Sequence, residues 1–139
     1  MHIEEITSYG LVPVARVRIV DNTFDIEITN PSLVQNEKCI YAFIIGGQIV
    51  RIGSSKGRLA VRLRAWRNDV SKALQGRKSS TRPAEADAWR TLLNSHGHAV
   101  IYARPGTVVK TPIGEISAFL DEECELIERY RPSINWSWR

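Results

Sequence analysis

Apolar and polar positions alternate with a period of two from residue 14 to residue 28, and only Asp21-Asn22 interrupts them. A polar pair between two alternating runs predicts a two-residue hairpin turn. Such a turn sets Arg18 against Asp25 and Arg16 against Glu27 on one face. It sets Val17 against Ile26 and Ile19 against Phe24 on the other. Opposite charges and apolar pairs thus fall where cross-strand neighbours meet, which fixes the register. Asn30-Pro31-Ser32 ends the pattern.

A second apolar pair, residues 39–45 and 49–53, surrounds Gly46-Gly47. A two-residue Gly-Gly loop places Tyr41 and Arg51 on opposite faces. A three-residue loop, Gly46-Gly47-Gln48, pairs Phe43 with Arg51 and brings Tyr41 to the same face as Arg51. Both loop lengths are common, and only the second lets the two side chains cooperate. Residues 57–75 then read as a helix, with Leu59, Leu63, Trp66, Val70 and Leu74 at helical spacing and Gly76 as the stop. Residues 84–95 read as another helix through Ala88, Trp89, Leu92 and Leu93, and 99–103 as a short buried strand. A last helix is expected from Thr111-Pro112, with Pro at its first position and Glu115 near its N-terminus. It would turn Ile113, Ile116, Leu120 and Ile127 inward and end before Pro132. The expected class is α+β, a small, mostly antiparallel sheet with helices packed around it.

At 139 residues the chain is long enough for one core without staples. No apolar run approaches the roughly 20 residues of a membrane span, and the N-terminus lacks the pattern of a signal peptide. Cys39 and Cys124 are too few for a disulfide framework, so a cytoplasmic setting is expected. Net charge is only +4, but its distribution is uneven. Residues 51–82 hold ten Lys or Arg and one acidic residue, Asp69. Lys56, Arg58, Arg64, Arg67, Lys72, Arg77, Lys78 and Arg82 form the footprint of a polyanion-binding surface. A solvated helix face is the alternative from composition alone.

Near the C-terminus, Glu123 precedes Leu126-Ile127, the basic stretch Arg129 to Arg131, Pro132 and Asn135. Upstream lie Cys39-Ile40-Tyr41, then Arg51-Ile52-Gly53, then Leu59-Ala60-Val61-Arg62. In order and spacing these resemble the GIY-YIG nuclease superfamily over roughly residues 38–136. The resemblance implies a core domain at 38–139, preceded by a hairpin extension at 1–37 that extends the sheet or builds a partner surface. It implies a DNA endonuclease dependent on Mg²⁺ or Mn²⁺, with Glu123 as metal ligand, Arg62 as phosphate clamp and Tyr41 as base. Asn135 would fix the site through backbone or water.

Two positions depart from the family pattern. Cys39 stands where glycine is usual, and Arg51 stands where the second tyrosine belongs. Arginine cannot act as a base, so Arg51 is expected to contact phosphate or support Tyr41. The same residues admit plainer readings. Glu123 has Glu122, Glu125 and Glu128 as neighbours, Arg62 has Arg58 and Arg64, and Tyr41 sits in an apolar strand. His96 and His98 lack a third ligand and read as loop surface, and Tyr102 reads as strand core. Trp136 and Trp138 either stack on bases or fold back on the domain. A catalytically silent nucleic-acid-binding module and a protein-interaction domain are the rival functions. Dimerisation stays open, although a double-strand cut by one centre per chain favours a homodimer.

Overall fold

The computed structural model describes residues 2–135. A short helix α1 (His2–Ser8) leads into β1 (Val12–Val20) and β2 (Thr23–Ile28). After a helical turn at Leu33–Gln35 come β3 (Cys39–Ile45), β4 (Gln48–Ser55), α2 (Leu59–Leu74) and α3 (Pro83–His96). The chain continues through β5 (Ala99–Pro105), β6 (Val108–Thr111), β7 (Gly114–Ser117) and α4 (Phe119–Tyr130). Five strands form one antiparallel sheet in the order β2-β1-β5-β3-β4, and β6 and β7 pair apart from it.

The first hairpin has the register its alternation dictates, with Arg18 opposite Asp25 and Ile19 opposite Phe24. It extends the sheet, because β1 also pairs with β5. The second hairpin reaches the expected pairing by a different device. Ile45 pairs with Gln48, so the turn is only Gly46-Gly47, with φ of 57° and 79°. A bulge at Val50 then shifts the register, and Phe43 meets Arg51 while Tyr41 meets Gly53. Tyr41 and Arg51 therefore share a face.

The last helix starts later than expected. Residues 108–117 form the β6–β7 hairpin, with Pro112 in its turn, and Ile113 is 88% exposed. Ile116 and Leu120 are also exposed, so of the four residues expected inward only Ile127 is buried. Helix α1 was not legible: seven residues hold two apolar positions, Ile3 and Ile6.

Every residue of β3 is buried because both sheet faces are covered. Tyr41, Phe43, Leu63, Trp66 and Trp89 pack on the α2–α3 face. Ile40, Ala42, Ile52, Leu126 and Ile127 pack on the α1–α4 face. Among the described residues no helix is long and apolar enough to cross a membrane.

Candidate active site

The Tyr41 side chain is 1% exposed and lies across Gly53. Its hydroxyl accepts a hydrogen bond from Trp66 Nε1 at 2.8 Å and another from Arg62 Nε at 3.3 Å. Trp66 and Arg62 lie one turn apart on α2, so one helix delivers both donors to one oxygen. The indole ring also carries the guanidinium carbons of Arg51 and Arg62, at 4.8 and 5.5 Å from its centroid. Three residues picked out by sequence thus meet on a fourth, Trp66, that sequence reasoning had left as core. Its place four residues after Arg62 was the available signal.

Arg62 is exposed beyond that anchor. It borders a groove of about 490 Å³ together with Ser54, Ser55, Lys56 and Arg58. Ser55 contributes a buried hydroxyl with no partner among the described residues. Ser54 Oγ donates to Glu123 Oε1 at 2.8 Å. Glu123 thus reaches the end of edge strand β4 from α4, on the opposite side of the sheet from Tyr41. Among the described residues no hydrogen bond or ion pair joins its carboxylate to Tyr41 or Arg62; Ser54 is the link.

The glutamates around it are committed elsewhere. Glu122 takes two guanidinium nitrogens of Arg104, the closer at 2.6 Å, and the Thr107 N–H and hydroxyl. Burial pulls its carboxyl upward, but these hydrogen bonds outweigh it and the net shift is down. Glu125 pairs with Arg129 and Glu128 with Arg131. Among the described residues, Glu123 alone of the four has no arginine partner.

Asn135 is 2% exposed, and its side chain bonds Ile52 twice. The Ile52 N–H donates to Oδ1 at 2.8 Å, and Nδ2 donates to the Ile52 carbonyl at 2.7 Å. One amide thereby satisfies the free edge of β4 directly between Arg51 and Gly53. Arg51 Nη1 donates to the Ile134 carbonyl at 3.0 Å, which ties the same two segments together. Arg51 does not line the groove. It borders an adjacent cavity with Arg62, Trp66 and Glu85.

The basic residues divide. Lys56 and Arg58 line the groove, whereas Arg64 and Arg67 border a separate depression against Ile26 and Ile28. Arg77, Lys78 and Arg82 are exposed in the α2–α3 connection, and Lys72 is half-buried. His96 and His98 are exposed, and Tyr102 is half-buried against the α1–α4 face. Trp136 and Trp138 lie outside the described residues. Burial pushes the Cys39 thiol up to about 11, which leaves it a core residue.

No protein-family model matches the chain, and no curated protein matches its sequence. Solved structures do share its fold. A variant of bacteriophage T4 EndoII superposes on 97% of this chain and 99% of its own, with a TM-score of 0.65 and 21% identity. The restriction endonuclease HPY188I in complex with product DNA matches 91% of this chain and 76% of its own, with a TM-score of 0.51 and 16% identity. At these identities the likeness establishes a common fold.

Proposed function

We propose that this protein is a divalent-metal-dependent DNA endonuclease of the GIY-YIG type. The observation that carries this reading is the chain of contacts from Tyr41 through Arg62 to the groove, which ends at Glu123 through Ser54. The two nucleases that share the fold support it.

Among the described residues there is no cluster of three His, Cys, Asp or Glu. That suits Mg²⁺, which commonly takes one or two carboxylates and completes its shell with water and substrate phosphate oxygens. Glu123, with no arginine partner among the described residues, fits as the single protein ligand for Mg²⁺ or Mn²⁺. A divalent ion bound there supplies charge neutralisation at the phosphate and the leaving oxygen.

Arg62 is anchored by Nε, so its two terminal nitrogens remain to grip a phosphate bidentately. Lys56 and Arg58 hold neighbouring phosphates along the groove. With Arg62 held on the phosphate, the Tyr41 hydroxyl would take a proton from the attacking water as it passes its own to a phosphate oxygen. Asn135 and Arg51 keep β4 in register behind Ser54. In-line attack leaves a 5′-phosphate. One centre per chain nicks a single strand, and a double-strand product takes two chains.

A silent DNA-binding module is the second reading, favoured by the structural ties that hold Arg51 where the family has its second tyrosine. Plasmid incubation separates the two. Nicking is expected with Mg²⁺ or Mn²⁺, absent in EDTA and restored by added ion. Binding without nicking under either ion supports the silent module instead.

A further inference from the structure

Beside the groove lies a cavity of about 160 Å³, bordered by Arg51, Arg62 and Trp66 on one side and Asp69 and Glu85 on the other. Ser80 and Thr81 complete it from the loop between α2 and α3. That loop is held in place by Ser79, whose hydroxyl donates to the Asp69 carbonyl at 2.6 Å and accepts from the Thr81 N–H at 3.1 Å.

The polar groups on both sides are incompletely used. Arg51 Nε is buried and has no hydrogen-bond partner among the described residues. Glu85 lines the same cavity, forms no ion pair among the described residues, and receives one long hydrogen bond, from Trp89 Nε1 at 3.4 Å. Burial raises the pKa of the Glu85 carboxyl, with Arg51, Trp89 and Arg82 acting against that rise. A guanidinium and a carboxylate that line one cavity without pairing leave room for a polar occupant between them.

Charge narrows what that is. Two guanidiniums and two carboxylates sum to zero, so neither a phosphate nor a metal ion is favoured. The occupant is neutral, accepts from guanidinium nitrogens and donates to carboxylates. The space equals about five waters at ~30 Å³ each, room for a planar ring but not for a nucleotide with its sugar and phosphate. Guanidinium planes such as those stacked over Trp66 also serve as platforms for unpaired bases. Arg62 borders both this cavity and the groove, so a base entering here belongs to a nucleotide whose backbone lies in the groove.

We propose that the cavity is a pocket for an unpaired, amino-bearing nucleobase extruded beside the phosphate held in the groove. This rests on the endonuclease reading and deepens it. The preferred substrate is DNA with an unpaired or mismatched adenine, cytosine or guanine at the cut, because extrusion from an intact duplex costs a few kcal/mol more. The base's ring acceptors take hydrogen bonds from Arg51 and Arg62, and its exocyclic amino group donates to Glu85 or Asp69.

The test measures binding in EDTA, so that it does not depend on cleavage. A fluorescent duplex carrying one bulged cytosine is compared with one carrying a bulged abasic site. The wild-type protein is expected to bind the cytosine bulge about tenfold more tightly. Glu85→Leu and Asp69→Leu should each reduce that ratio to within about threefold, while affinity for the intact duplex and the thermal midpoint hold. A wild-type ratio near one, or a ratio unchanged in both variants, overturns the pocket. A retained ratio in a protein that nicks no DNA under Mg²⁺ or Mn²⁺ upholds the pocket and counts against the nuclease reading alone.

Discussion

Glu123→Gln should lower the single-turnover nicking rate by about 10³-fold or more, with the fold and the DNA affinity in EDTA unchanged. Glutamine matches glutamate in shape and still accepts from Ser54 Oγ, so the end of β4 keeps its contact to α4. What it loses is the charge. Metal-assisted charge stabilisation supplies several kcal/mol to such reactions, and about 4 kcal/mol corresponds to roughly 10³ in rate. The neighbouring carboxylates cannot substitute, since Glu122, Glu125 and Glu128 are each held by an arginine. Glu125→Gln and Glu128→Gln should therefore stay within about twofold of wild type. A Glu123→Gln protein that nicks within tenfold of wild type would remove this carboxylate from the chemistry.

Gly53→Ala should damage both stability and rate through a residue that touches no substrate. A β-carbon at Gly53 would lie 2.5 Å from Tyr41 Cζ and from its oxygen, and 2.8 Å from Cε1. Carbon atoms in contact rest at about 3.5–4.0 Å, so the ring must move by about 1 Å. It has little room, because it is buried and bonded to Trp66. Overpacking of this kind costs about 1–3 kcal/mol, and loss of the Trp66 hydrogen bond adds about 1 kcal/mol. The displaced oxygen also no longer anchors Arg62. A misplacement of about 1 Å in a catalytic constellation costs on the order of 10² in rate. Thermal denaturation and single-turnover cleavage by the folded fraction check both effects. Normal stability and normal rate together would mean that the ring is not packed across Gly53.

Much of this arrangement was legible in local pattern, and the failures have local causes. Alternation plus charge placement specified the first hairpin residue by residue. The second hairpin was ambiguous, since a two-residue Gly-Gly turn and the pairing of Phe43 with Arg51 are incompatible without a bulge, and no sequence signal marks Val50 as one. Thr111-Pro112 misled because proline fixes a φ that suits a helix start and a turn equally. The Ile113 to Ile116 spacing imitated a helical face that is in fact a hairpin tip.

The candidate site divides in the same way. Tyr41, Arg62, Glu123 and Asn135 were singled out by the resemblance to a nuclease family, and the structure gives each a specific partner. The bond from Asn135 to Ile52, the Ser54 bridge to Glu123 and the shared indole of Trp66 span 25 to 83 positions in sequence. Such contacts are set by strand order and the packing of α2 and α4, which no local pattern encodes. Glu85 escaped notice for the same reason, as one acid at the start of an ordinary helix.

The central claim of the proposal is spatial: Glu123, beside the groove of Ser54 and Arg62, would hold a divalent ion there, although the residues come from an edge strand and two helices. Fe²⁺ substituted for Mg²⁺, with ascorbate and peroxide and with duplex DNA bound, cuts polypeptide close to wherever the ion rests. The account expects scission in three separate segments, residues 53–56, the turn around Arg62 and residues 121–125, all lost in Glu123→Gln. Scission confined to α4, or at segments remote from all three, would contradict it.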